Sequence, residues 1–144
     1  MKLKIDQIAG GFIQLLPLVF TKLNKKQLNA LDLTHLQAHI LEELFQAKEG
    51  ISITQLGQKI NISKQQLTPL ITKLAEKKYI LKEQNPHDKR AIKLVITERG
   101  REKVQERWAA FYHAFTEKIA GVTEEELDDL HYSINKINRI FGRL

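Results

Sequence analysis

Residues 51–97 read ISITQLGQKINISKQQLTPLITKLAEKKYILKEQNPHDKRAIKLVIT, and this stretch decides the fold. It opens with Ile51-Ser52-Ile53, short, β-like and suited to an extra strand. Thr54 is the expected N-cap of a helix, because its hydroxyl can accept from an early unpaired N–H. Leu56 and Ile60 lie four apart on one face, Gly57 permits close packing, and Asn61 tolerates the left-handed conformation that ends a helix. Ile62 is placed to anchor a turn, and Ser63 to cap a second helix. Helix, tight turn and helix in about twenty residues is the size of a helix-turn-helix.

The second helix has two distinct faces. Leu67, Leu70, Ile71 and Leu74 follow the i, i+3, i+4, i+7 spacing of a buried stripe. Lys64, Gln65, Thr68, Pro69 and Thr72 fall on the opposite side, with Gln66 and Lys73 at one flank. A helix-turn-helix puts such a face into the major groove. There Gln can bond adenine twice, Thr can donate or offer a methyl to thymine, and Lys can reach guanine or phosphate. Taken alone, the same face would also serve as an ordinary solvated surface. Pro69 lies past the first turn, deletes the bond to the Gln65 carbonyl, and is expected to kink the helix at a cost of roughly 3 kcal/mol.

Beyond this helix the period changes. Tyr79-Ile80-Leu81-Lys82-Glu83 and Ala91-Ile92-Lys93-Leu94-Val95-Ile96 read as strands. The turn-rich segment from Gln84 to Arg90 joins them, which makes a hairpin wing. Arg90 is expected in a minor groove, where narrow walls concentrate negative potential. Asp88 is placed to orient Arg90 or to brace the loop; the plainer reading is a surface ion pair worth under about 1 kcal/mol.

The Ser63-capped helix, the wing text Asp88-Lys89-Arg90 and the exit text Ile96-Thr97-Glu98-Arg99-Gly100 resemble the MarR family of winged helix-turn-helix regulators. The resemblance covers nearly the whole chain. It implies a homodimeric, sequence-specific DNA-binding transcription regulator, most often a repressor, on a pseudo-palindromic operator. The DNA-binding residues would be Ser63, Lys64, Gln65, Gln66, Thr68, Thr72, Lys73, Asp88, Lys89 and Arg90. Pro69 departs from the family pattern, since many relatives carry a polar or basic residue there.

Charge placement fits this expectation. Residues 51–97 hold nine Lys or Arg against three acidic residues, and the rest of the chain holds fourteen of each, so the net +6 resides entirely on the proposed reading unit. The absence of cysteine excludes disulfides, thiolate ligands and thiol oxidation as a signal. The default location is cytoplasmic.

The 144 residues suggest one compact domain with three parts: an N-terminal dimerisation helix in 1–30, the winged helix-turn-helix in 31–97, and C-terminal dimerisation helices in 98–144. The fold class is mainly α with a small β-wing. Lys2 and Lys4 before the apolar run from Ile8 to Phe20 superficially suggest a signal peptide, but no small-residue cleavage site follows. The run is too short for a membrane span. Its helical period (Ile5, Ile8, Phe12, Leu15 or Leu16, Val19, Leu23) points instead to a helix over about residues 4–26, bent at Pro17. Thr34 caps a helix from about His35 to Ala47, stopped by Gly50. Thr97 caps a long helix to about Ala120, and Gly121 stops it. Thr123-Glu124-Glu125-Glu126 is a capping box. Leu127, Leu130, Ile134, Ile137, Phe141 and Leu144 then repeat as in a coiled-coil seam. Stripes on this scale exceed what a small winged helix can cover and argue for a second copy; the alternative is packing on one another within the chain.

The resemblance also implies an effector site for small aromatic or phenolic anions, for which Phe12, Trp108, Phe111, Tyr112 and Phe115 are candidates; as a stripe they would equally serve as core. Some relatives sense zinc. His35 and His39, four apart, are two possible ligands, with His113 or a Glu as an unproven third, whereas a zinc site needs three or four. No metal and no cofactor is expected. No nucleophile–base pair or phosphate loop supports an enzyme. The rival readings are a zinc-responsive regulator of the same fold and a winged helix that docks an acidic protein.

Overall fold

Capping residues set the frame of the fold. The computed structural model describes residues 1–22 and 32–144. Its elements in order are α1 (Lys2–Lys22), α2 (His35–Gln46), β1 (Ile51–Ser52), α3 (Ile53–Ile60), α4 (Lys64–Glu76), β2 (Ile80–Asn85), β3 (Asp88–Ile96), α5 (Glu98–Ile119) and α6 (Glu124–Phe141). Four of the helices start with the same reciprocal box, in which a Ser or Thr hydroxyl accepts the N–H three residues on and that residue's Gln or Glu accepts the cap N–H: Thr34 with Gln37, Ser52 with Gln55, Ser63 with Gln66, and Thr123 with Glu126. Each cap is worth about 1 kcal/mol.

One box corrects the expected start of α3. Ser52, not Thr54, is the N-cap: its Oγ accepts from the Gln55 N–H at 3.1 Å, and Gln55 Oε1 accepts from the Ser52 N–H at 3.1 Å. Thr54 has no Gln or Glu three residues on to close such a box, whereas Ser52 has Gln55. Ile53 therefore starts the helix, and β1 is only two residues long. Asn61 ends α3 in the left-handed conformation (φ 55°) as expected. Gly57 is required by contact: a Cβ there would lie 2.8 Å from the Ile62 carbonyl oxygen, inside the turn of the helix-turn-helix.

The sheet is antiparallel with order β1-β3-β2. Ile51 pairs with Leu94, Ile80 with Ile96 and Lys82 with Leu94, with an irregularity between Gln84 and Asn85. The strands run closer together than expected. Asn85 pairs with Asp88, so Pro86 and His87 alone make the turn, and Arg90 lies in β3 rather than in a loop.

The residues divide into two compact units, Lys25–Ala110 and Met1–Asn24 with Phe111–Leu144. In the first, Leu41, Leu44, Leu56, Leu67, Ile71, Leu74, Ile80 and Leu94 form a core at 0–1% exposure. The start of α5 is fastened to the corner between α4 and β2. Thr97 Oγ1 donates to the Lys78 carbonyl (2.7 Å) and accepts from the Gly100 N–H (3.0 Å), while the Thr97 N–H donates to the Tyr79 carbonyl. A Cβ at Gly100 would collide with that Tyr79 carbonyl, which explains the glycine of the exit text.

In the second unit the large apolar side chains of α6, and those described on α1, stay open. Ile8 is 66% exposed, Ile134 42%, Ile137 44% and Phe141 57%. Phe12 stacks on Phe141 with centroids 6.1 Å apart. Pro17 lies within α1, and α6 ends at Phe141, so Leu144 falls beyond the helix expected to carry it. The expected last turn of α1 (residues 23–26), with Leu23, lies outside the described residues, as does Leu31. None of the described helices is long and apolar enough to cross a membrane.

Candidate nucleic-acid interface

The helix-turn-helix presents α4 by its buried side. Leu67 and Leu74 are fully buried and Ile71 nearly so, which fixes the opposite face outward. Ser63, Lys64, Gln65, Gln66, Thr68, Pro69, Thr72 and Lys73 are all exposed. From Lys64 to Lys73 this surface carries no acidic residue. The helix continues through Pro69 from Lys64 to Glu76.

Several of these polar groups are already engaged within the chain. The Thr68 hydroxyl donates to the Lys64 carbonyl at 2.8 Å, and the Thr72 hydroxyl donates to the Thr68 carbonyl at 2.9 Å. Gln66 Oε1 accepts from the Ser63 N–H (3.4 Å) and hydroxyl (3.3 Å), which places Gln66 in the helix cap. Hydroxyls of this kind often turn back on the helix backbone.

On the wing, Asp88 Oδ1 accepts the backbone N–H of Arg90 at 3.0 Å. Asp88 therefore braces the main chain that carries Arg90, whose side chain is exposed. Lys89 is in β3; its side chain lies outside the described residues.

Other basic residues of this unit do structural work. Lys77, the C-cap of α4, donates to the Asp32 carbonyl (2.7 Å) and to its carboxylate (2.8 Å). That hydrogen bond, with the ammonium charge, holds the Asp32 carboxyl below its ordinary value. Lys59 lies 2.9 Å from Glu43, and Arg107, almost fully buried, lies 3.4 Å from Glu42. These tethers fix the ends of α4 and α3 and the flank of α5, and they were not legible from spacing because they join residues far apart in sequence. The caps at Thr34 and Ser63 and the box at Thr123 follow from local sequence, whereas the Ser52 box, with Gln55 three residues on, replaces the cap expected at Thr54.

The aromatic candidates divide between the units. Trp108 packs edge-on against Phe45 (5.0 Å, 70°), beside which Arg101 sits over the Phe45 ring. Tyr112 meets His113 edge-on and is 67% exposed; Phe115 is 39% exposed and Phe111 partly buried. His39 lies 3.9 Å from Glu43, its neighbour one turn on. Among the described residues, no three His, Asp or Glu side chains gather closely enough to hold a metal ion.

Three comparisons bear on this geometry. The family model described as "MarR family" matches residues 33–92. The HTH-type transcriptional regulator SarZ of Staphylococcus epidermidis is 33% identical over 54 residues, 38% of this chain; the match spans only 36% of that protein's length. Among solved structures, YusO from Bacillus subtilis superposes with a TM-score of 0.75 at 20% identity, covering 93% of this chain and 96% of YusO. A MepR variant from S. aureus bound to an oligodeoxyribonucleotide superposes with a TM-score of 0.70 at 19% identity, covering 93% and 97%. These likenesses establish the architecture, mainly α with a small three-stranded wing. The stretch that matches the MarR family model covers α2, α3, α4 and most of the wing, and the superposed structures share the winged helix-turn-helix architecture.

Proposed function

We propose that this chain is a sequence-specific DNA-binding transcription regulator that acts as a homodimeric repressor on a pseudo-palindromic operator. The observation that carries the reading is the exposed, acid-free face of α4 between Lys64 and Lys73, held outward by a buried stripe, beside a wing that exposes Arg90. That face has the size and chemistry of a major-groove reader. The lysines supply salt-sensitive phosphate affinity, residues 64–73 read bases, and the braced Arg90 enters a minor groove. The oligodeoxyribonucleotide bound by the MepR relative supports the same use of the fold.

The dimer is inferred from the apolar seams of α1 and α6, which stay 38–66% exposed at Ile8, Leu127, Leu130, Ile134 and Ile137. A second copy about a two-fold axis covers them and sets two α4 helices about one helical turn of DNA apart. Within the unit of Met1–Asn24 and Phe111–Leu144, Phe12, Phe111, Tyr112 and Phe115 are the proposed contacts of a small aromatic anion that changes this spacing, whereas Trp108 belongs to the other unit. Exposed ring surface at Phe12, Tyr112 and Phe115 supports it.

The test is equilibrium binding to duplex DNA across a salt series. The reading expects affinity to fall steeply with salt, and Arg90→Ala to weaken binding about tenfold at matched salt. A folded protein with no salt-dependent DNA affinity would overturn it and favour the docking of an acidic protein. Addition of benzoate-class and phenolic anions should lower operator affinity; unchanged affinity across the panel removes the effector part alone.

A further inference from the structure

The centre of the outward face of α4 lacks free hydrogen-bond donors. Thr68, Pro69 and Thr72 adjoin one another on the helix surface, at i, i+1 and i+4, and all three are exposed. A threonine hydroxyl has one proton to give. Thr68 gives its proton to the Lys64 carbonyl at 2.8 Å, and Thr72 gives its own to the Thr68 carbonyl at 2.9 Å. Pro69 has no N–H and offers only ring carbons. The chemistry left to this exposed patch is two methyl groups, a pyrrolidine ring and hydroxyl lone pairs.

The major-groove edges of the base pairs differ in what they ask of such a patch. G·C and A·T pairs each show two acceptors and one amino donor in the major groove, so hydroxyl lone pairs alone do not tell them apart. Only the pair with thymine adds a 5-methyl group, for which an apolar patch is the matching surface. We propose, on the basis of the DNA-binding reading above, that Thr68, Pro69 and Thr72 form a thymine reader that selects A·T pairs by covering the 5-methyl group. Gln65 and Lys64, at the N-terminal end of the same face, then serve the hydrogen-bonded positions. Pro69, which breaks the ordinary rule for a helix interior, acquires a use: it removes no donor that this contact needs and adds apolar surface at its centre.

The experiment uses the full chain and a duplex that it enriches from random DNA. The duplex is remade with deoxyuridine for thymidine in one half-site at a time, which deletes the methyl groups and leaves every base-pairing edge intact. Fluorescence anisotropy should then show affinity falling roughly fourfold for each covered methyl. Thr68→Ser with Thr72→Ser keeps both hydroxyls, drops both methyls and should bring the thymine-over-uracil ratio close to one. Thr68→Val keeps the methyl and drops the hydroxyl, and should retain the ratio. Equal affinity of the unaltered protein for thymine and uracil duplexes overturns the proposal, and that result does not depend on how any variant folds. A ratio that survives the double serine change and vanishes in Thr68→Val also overturns it, by making the hydroxyl the reader. Both results leave the DNA-binding reading standing, whereas failure to enrich or bind any duplex removes that reading and the proposal with it.

Discussion

In the unit from Lys25 to Ala110, Leu41, Leu44, Leu56, Leu67 and Leu74 are fully buried. In the unit formed by Met1–Asn24 and Phe111–Leu144, Ile8, Ile134, Ile137 and Phe141 keep 42–66% of their surface open. The helical stripes of the two units have similar spacing. What differs is their surroundings: the winged helix lays three helices and a sheet around one set of leucines, whereas α6 has no fully buried side chain of its own along eighteen residues. A stripe at helical spacing thus becomes core or stays open according to how much other surface the chain brings to it. The polar surface follows the opposite rule, since the unit with the finished core carries all the net positive charge.

The largest expected contrast comes from shaving one residue in each unit. Leu44→Ala should cost about 2–5 kcal/mol in denaturant unfolding, independent of protein concentration, because it opens a cavity in a closed core. Ile134→Ala should change stability in a way that depends on protein concentration, because its partner surface arrives with the second copy. Equal, concentration-independent losses would erase the distinction.

Next in size, Leu130→Glu with Ile137→Glu should convert the proposed dimer to a monomer in sedimentation and lower affinity for its selected DNA site roughly a hundredfold or more, since linked readers gain avidity of that order. The winged helix should still melt cooperatively. Gly100→Ala probes the other unit. The new Cβ meets the Tyr79 backbone, and a loss of about 1–3 kcal/mol is expected from overpacking. Thermal unfolding of that variant checks it; an unchanged midpoint would show that the start of α5 can shift.

The smallest effects lie at the caps. Thr123→Ala should cost about 1 kcal/mol at the start of α6. The backbone N–H and hydroxyl of Thr123 hold the Glu126 carboxyl below its ordinary value. A lowered folded value means that this stabilisation is complete above the ordinary carboxylate value and is lost as pH falls through the lowered one. Acidification should therefore loosen α6, and Asp32, lowered by Lys77, should weaken the tether at the end of α4 in the same window. Glu126→Gln, which keeps an acceptor for the box, should remove the part of the acid sensitivity that belongs to α6, as read by helical circular dichroism against pH.

Much of this is readable from residues. The stripe of Leu67, Leu70, Ile71 and Leu74, the Asn61 stop, the Ser63 cap and the wing follow from local rules that act over a few positions, and the structure bears each of them out. Thr54 misleads because a hydroxyl alone says less than a hydroxyl with Gln or Glu three residues on, which Ser52 has. The wing turn reads too long because Gln84, Asn85 and Asp88 are turn-formers by type, yet here they pair across the hairpin. Pro69 and the two threonines are harder. Helical spacing places them on the outward face, but only geometry shows that both hydroxyl protons return to the backbone. The tethers Lys77–Asp32 and Arg107–Glu42 join distant positions, so no local pattern carries them.

The most direct test of the central claim is selection of bound sites by the full chain from random duplex DNA, at about physiological salt. The account predicts an enriched pseudo-palindrome whose half-sites stand about 10 base pairs apart. A folded dimer that enriches no sequence would contradict it.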